Sequence, residues 1–199
     1  MSDDASQLEV QRIESLRRCT ILGTPAEQAY DDLTKLAASL AGAPIALVSL
    51  IYPDRIWFKS RVGVDIDSIP HEGSFCMHAV ASDEPLVVED ATLDPRYSDL
   101  PGVKGPPHVR FYAGMPLVLE DGTRPGVLCV LDTRPRSMTP RLIESLRMVA
   151  RQVSAQLSLR KAIADLRIES EARGLSEERY RAALSGSLDA FFLLRCVRD

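Results

Sequence analysis

The chain has 199 residues, 45% of them hydrophobic and 26% charged, with a formal net charge of -4. That length supports one well-buried core and the beginning of a second. Nothing supports a phosphate-backbone footprint, since no basic block is present, and the longest apolar run, Ile45 to Ile51, falls far short of the roughly 20 residues of a membrane helix.

In chain order, Leu8, Ile13, Leu16 and Ile21 form an imperfect helical stripe, which predicts a leading helix over 8–22. Thr24, Pro25, Ala26 and Glu27 have the form of a capping box with proline at the first helical position, so a second helix is expected to start there. Its expected buried face is Ala29, Leu33, Leu36 and Leu40, and Gly42 with Pro44 ends it. Ile45–Ile51 and Ile56–Val62 are β-rich runs separated by Pro53 and Asp54, which predicts an antiparallel hairpin. Residues 63–73 hold glycine, proline and acidic residues without period and are expected to be loop. Ser74 is placed to cap a short helix through Ala81. Leu86–Val88 is a further short strand. The stretch Asp94–Pro107 is a long connection, of the kind that is functional or mobile in a compact domain.

Thr139 and Pro140 repeat the cap-then-proline signal. The helix they open carries Leu142, Leu146, Val149 and Val153 at heptad spacing, and the pattern resumes at Ile163 and Leu166. A helix over about 140–172 is longer than such a domain needs for its own core, so the seam is expected to pair with a second copy, giving a homodimer through the terminal helices, ahead of the competing reading of a single helix folded back on the sheet. After Gly174, residues 176–199 resemble the opening of a PAS domain, a short amphipathic helix followed by a strand at Ala190–Val197. The expected organisation is an N-terminal helix (1–23), a core domain (24–139), a coiled-coil linker helix (140–175) and the beginning of a truncated PAS-like domain (176–199).

The runs Pro44–Lys59 (PIALVSLIYPDRIWFK), Val109–Leu117 (VRFYAGMPL) and Gly126–Asp132 (GVLCVLD), with Ser74–Val80 (SFCMHAV) and Leu86–Ala91 (LVVEDA) between them, resemble the strands and connections of a GAF domain. Their order and spacing are similar to those of GAF modules preceding bacterial histidine kinases and diguanylate cyclases, and the resemblance covers roughly residues 10 to 160. It implies an α+β fold (an α/β sandwich) with a central antiparallel sheet flanked by helices and a long C-terminal signalling helix. It also implies a non-catalytic sensory role in a two-component or cyclic di-GMP signalling protein, with an unidentified small-molecule ligand and a downstream signalling domain as partners. No cofactor is identified. The amino terminus, MSDDASQ, has no signal-peptide character, so a cytoplasmic location with no membrane or nucleic-acid partner is expected.

Cys76 and His78 are the first nucleophile-and-base candidates, but two residues apart on a helix they do not share a face. Cys19, Cys76, Cys129 and Cys196 have no C-x-x-C spacing, which argues against a zinc ribbon or a disulfide framework. A bilin is disfavoured because Met77 separates Cys76 from His78, and the cyclic-nucleotide N-K-F-D-E signature cannot be intact in a chain without asparagine. Free methionine-(R)-sulfoxide reductases are the enzymatic GAF proteins, and their clustered cysteines are not matched by Cys76 and Cys129, which lie in separate expected elements. The candidate ligand-binding set is Trp57, Phe75, Cys76, His78, Asp90, Arg96, Arg110, Tyr112 and Asp132, aromatic walls with a few polar anchors. Within it, Arg110 and Tyr112 share one face of a strand, and if that face is inward Arg110 needs Asp90, Asp132 or an anionic ligand as partner. The competing readings are a thiol-dependent reductase using Cys76 and a purely structural dimerisation module.

Overall fold

The computed structural model describes residues 2–71 and 73–196. Two compact units are distinguished, residues 1–161 and 162–199. The first contains a six-stranded antiparallel sheet in the order β3-β2-β1-β6-β5-β4, made of β1 (Ile45–Ile51), β2 (Arg55–Val62), β3 (Ser68–Pro70), β4 (Leu86–Val88), β5 (Phe111–Leu117) and β6 (Gly126–Asp132). Helices α1 (Ser2–Cys19), α2 (Gln28–Ala41), α3 (Phe75–Ala79), α4 (Pro101–Lys104) and the part of α5 (Pro140–Cys196) up to residue 161 complete it. This is the α+β sandwich expected from the sequence, and the β1–β2 hairpin is antiparallel as predicted. The short strand β3, within a stretch expected to be loop, pairs with β2 through Ile56–Ile69 and Trp57–Ser68.

Both faces of the sheet are buried, which is why β1 and β6 are continuous apolar runs rather than alternating ones. Ala46, Val48, Leu50, Leu128 and Val130 face one cluster, together with residues of α1, α2 and α5. Ile45, Leu47, Ile51, Val127, Cys129 and Leu131 face the other, under α3 and the 91–109 segment. The period of two along each strand sorts the residues between these layers.

One irregularity changes that sorting. Val48 pairs with Ser60 and Ser49 with Phe58, so Lys59 is an extra residue in β2. Such a bulge re-aims side chains. Phe58 belongs to the layer under α3, whereas Lys59 and Ser60 both reach the α2 side, Lys59 to Glu27 and Ser60 to Asp31.

Three helical expectations are corrected. Helix α2 begins at Gln28, not Pro25, and Glu27 makes no side-chain cap because its carboxylate is engaged by Lys59 and Arg160. Its buried face is Tyr30, Thr34, Ala37 and Ala38, with Leu33 half-buried, while Ala29, Leu36 and Leu40 are exposed. Small residues let the helix lie close to the sheet, and the larger leucines are left outside. Helix α3 ends at Ala79 instead of Ala81. Gly42 closes α2 in the left-handed conformation, as anticipated.

The seam expected to pair with a second copy is the domain's own core. Leu146, Val149, Val153 and Leu157 are buried with Leu16, Ile21, Met115 and Leu128, and Leu142 packs against the same cluster. An amphipathic stripe records that a face is covered but not by what. Beyond it Leu159, Ile163 and Leu166 are exposed. In the second unit the helix continues through Cys196, where a PAS strand was expected from Ala190. A helix satisfies its own backbone groups, whereas a strand there finds no partner among the described residues. Residues 197–199 lie outside the described residues.

Candidate functional site

The cavity lies between the sheet and the α3–α4 face. It has a volume of about 400 Å³ and is walled by Leu47, Phe58, Phe75, Leu100, Val109 and Leu131, among other apolar groups. Among the described residues no charged side chain lines it, and its polar side chains are Ser74, Cys76, Tyr112 and Cys129. The long connection after Asp94 supplies one wall. It is held down by Tyr97 and Val103, both buried, and by backbone hydrogen bonds such as Val109 N–H to Gly102 O at 2.8 Å.

At one side of the cavity the tyrosine hydroxyl of Tyr112 donates to Cys76 Sγ at 3.6 Å, and Ser49 Oγ lies 3.8 Å from Cys129 Sγ. Cys76 and Cys129 both line the cavity, so the four residues belong to one buried cluster. The neighbouring Cys129 draws the Cys76 thiol below its usual range against the opposing effect of burial, with Tyr112 and Ser49 adding to the lowering. Cys76 and burial push Cys129 in the opposite direction. The groups around Cys76 thus favour its charged form over that of Cys129. Burial also raises the Tyr112 hydroxyl far above its ordinary value, keeping it a donor.

Phe75 stacks between Tyr97 and Tyr112, with ring centroids 4.8 and 4.7 Å apart. Tyr112 lies flat because residue 114 is glycine: a Cβ there would stand 2.4 Å from the Tyr112 hydroxyl. Ser74 Oγ and the Tyr97 hydroxyl are buried with no hydrogen-bond partner among the described residues. Of these, Ser74 lines the cavity.

Of the residues expected from sequence, Phe75, Cys76 and Tyr112 meet in this cavity. The others do not line it. Trp57 packs on the opposite layer. His78 is exposed, edge-on to Tyr97 at 5.1 Å, and turned away from Cys76 as helical spacing requires. Asp90 accepts from Thr92, and Arg96 pairs with Asp94 at 2.6 Å on the surface. Asp132 is taken by Arg136 and the Arg134 N–H. Arg110 precedes β5, and its guanidinium donates to the carbonyls of Val103 and Val109 at 3.0 and 3.1 Å. It pins the wall of the cavity from outside, and this takes the place of the partner that an inward face would have required. A wider groove of about 770 Å³, lined by Glu89, Asp90, Asp94 and Arg136, is open to solvent, and its Asp94 and Arg136 are already paired.

Sequence reasoning missed Ser49, Ser74 and Cys129. Ser49 interrupts an apolar run in a strand buried on both faces, and such a polar residue needs a partner. It also treated Cys76 and Cys129 as standing alone, which the fold overturns by bringing α3 over β6.

On the far side of the sheet, Lys59 Nζ is sealed from solvent and donates to Thr24 Oγ1, Pro25 O and Glu27 Oε1 at 2.8, 2.8 and 2.7 Å. Glu27 also accepts from Arg160 at 2.8 and 3.0 Å, and Arg160 Nε donates to Cys19 O at 2.8 Å. Partial burial would raise the Glu27 carboxyl, but Lys59 and Arg160 together hold it below its ordinary value. Next along α5, Lys161 pairs with Asp121 in the β5–β6 turn. Strand β2 and the final turn of α5 in the first unit are thus joined by one carboxylate.

The GAF domain model matches residues 25–157. A cyclic di-GMP phosphodiesterase of Pseudomonas aeruginosa is 39% identical over 138 residues, which are 69% of this chain and 24% of that protein. The chain thus spans about a quarter of the length of that curated relative. Among solved structures, the blue-light absorbing form of the Thermosynechococcus elongatus PixJ GAF domain superposes with a TM-score of 0.56 at 16% identity, over 79% of this chain and 95% of that one. The GAF domain of an Acinetobacter phosphoenolpyruvate-protein phosphotransferase gives 0.55 at 18%, over 78% and 95%. These two structures speak to the fold. With the sheet order, the two-sided core and the matched residues together, the chain belongs to the GAF domain family.

Proposed function

We propose that this GAF domain is a ligand-responsive regulatory segment of a signalling protein in cyclic di-GMP turnover, itself without catalytic activity, in which a small apolar molecule occupies the cavity. The observation that carries this reading is the cavity of about 400 Å³, with apolar walls and a buried Ser74 hydroxyl that has no partner among the described residues. Such a site takes a mainly apolar ligand with one hydrogen-bonding group.

Phe58 lines the cavity and Lys59 holds Glu27, so a ligand that shifts Phe58 also shifts the contact to Arg160. The ligand acts only through unequal affinity for the two settings of that contact. The similarity to the phosphodiesterase supports an output domain of the cyclic di-GMP class, with a histidine kinase as the other class. A homodimer forms through the exposed face of α5 that includes Ile163 and Leu166. The domain works in the cytoplasm. None of the helices, over the described residues, is long and apolar enough to cross a membrane.

Native mass spectrometry with an absorbance spectrum on freshly purified protein tests this reading. Added mass of a small molecule, lost when the cavity is filled by mutation, is the expected result. Added mass that persists in a cavity-filled variant contradicts it.

A second reading is favoured by the placement of Cys76 and Cys129 on one cavity, a thiol-dependent reductase acting on a small sulfoxide. Turnover of free methionine sulfoxide that is lost in Cys76→Ser separates it from the regulatory reading.

A further inference from the structure

We propose that Cys76 and Cys129 form a reactive dithiol that is oxidised to a disulfide by an organic hydroperoxide entering the cavity. The inference rests on the pocket reading above and adds a chemistry to it.

Three observations converge. The two thiols lie on α3 and β6 at the wall of one cavity, with Tyr112 bonded to Cys76 at 3.6 Å and Ser49 Oγ 3.8 Å from Cys129 Sγ. Both cysteines are free and both line the cavity, so a molecule inside it meets sulfur directly. Ser74 Oγ, two residues before Cys76 and 7% exposed, has no partner among the described residues and also lines the cavity. A hydroperoxide offers what these groups lack, an O–O–H for the serine hydroxyl and a weak O–O bond for the thiolate, while its organic part matches the apolar walls. The lowered Cys76 thiol supplies the attacking form, and the raised Cys129 thiol retains its proton as donor.

The step balances without any further reagent. The Cys76 thiolate attacks the terminal peroxide oxygen, a sulfur–oxygen bond forms, and the O–O bond breaks. The departing alkoxide takes the proton of the Cys129 thiol and leaves as an alcohol. The Cys129 thiolate then attacks the Cys76 sulfur, the disulfide forms, and hydroxide leaves as water with the proton that Cys76 had released. One hydroperoxide and two thiols give one disulfide, one alcohol and one water.

The test exposes the reduced 199-residue protein to stoichiometric cumene hydroperoxide or hydrogen peroxide, followed by intact-mass measurement and non-reducing peptide mapping. The expected result is loss of two hydrogens with a Cys76–Cys129 linkage, formed at least about tenfold faster with cumene hydroperoxide, the factor that about 1.4 kcal/mol of apolar burial provides. In Cys129→Ser the reaction should stop at a sulfenic acid on Cys76 that dimedone traps, and in Cys76→Ser neither product should form. Tyr112→Phe keeps both sulfurs and should slow the first step while moving its pH profile upward. Thiols that stay reduced in the folded protein but react once it is denatured would overturn the dithiol proposal. Equal rates with the two peroxides would overturn the assignment of an organic substrate. The pocket reading fails separately, if reduced Cys76→Ser protein shows no stabilisation by any apolar probe.

Discussion

Phe58 and Lys59 are consecutive on β2, yet one lines the cavity and the other is sealed on the opposite side of the sheet against Glu27. The bulge at Val48/Ser49 also sends Ser60 to the Lys59 side, so both of the residues after Phe58 bond to the α2 region. Through Glu27 the cavity wall is two contacts away from Arg160.

Removing either partner of this contact should be costly. Glu27→Gln keeps an acceptor for Lys59 but leaves its buried ammonium without a counter-charge, and a loss of about 1–3 kcal/mol is expected in urea unfolding. Lys59→Met, which removes the charge as well as the bond, should be less damaging than Glu27→Ala. If Lys59→Met proves the worse of the two, the ammonium is not the group that needs the carboxylate.

The same contact predicts an acid-labile fold. Glu27 and Asp121 both have folded pKa values below their unfolded ones. Burial opposes the shift in each. Lys59 and Arg160 lower Glu27, whereas Lys161 and Thr123 lower Asp121 to about 2. The stability they provide is complete above the unfolded carboxylate range and is lost as pH falls through the folded values. The melting temperature should therefore hold above about pH 4.5 and decline toward pH 2, with salt weakening the more exposed pair. Glu27→Gln and Asp121→Asn should each lower stability at neutral pH and flatten this decline.

Gly114→Val should place carbon where the Tyr112 ring now lies. Displacing that ring breaks its stack on Phe75 and its bond to Cys76. Binding of an apolar probe should weaken by at least about tenfold, or roughly 1.4 kcal/mol. Near-ultraviolet circular dichroism reports the ring movement independently of binding.

Two parts of α5 should respond differently to charge. Val153→Glu puts a carboxylate among fully buried apolar neighbours and should unfold the domain, a cost of several kcal/mol. Ile163→Glu with Leu166→Glu alters an exposed face, so stability should hold while light-scattering mass falls from dimer to monomer. A mass unaffected by the double change would remove these residues from the interface.

Except for β3, which lay in a stretch read as loop, the strands were legible because β-branched and apolar runs with turn residues between them have few alternatives, and Gly42 marked a helix end for a definite conformational reason. What escaped was set by tertiary context. Period two assigns Lys59 and Ser60 to opposite faces, and only the bulge unites them. The Leu142–Val153 stripe fits a partner helix as well as a sheet, and the sheet covers it. In α2 the leucines looked like the core, but Ala37 and Ala38 are buried because close approach excludes larger side chains. Of the candidate site, the Phe75–Cys76 turn and Tyr112 were found as aromatic and thiol groups in strand or helix context. Cys129 was not joined to them because nothing local in the sequence records that α3 crosses β6.

The most direct test of the account is the thermal shift of the fully reduced protein with a small apolar probe such as 1-naphthol, beside Val64→Trp, which adds an indole at the cavity lining. At a probe concentration about 100 times its Kd, stabilisation of about 2.7 kcal/mol is expected for the unmodified protein, a rise of several degrees, and little or none for Val64→Trp. An equal rise in both proteins, or no rise with any probe from benzene to naphthol in size, would contradict the claim that this cavity is the ligand site.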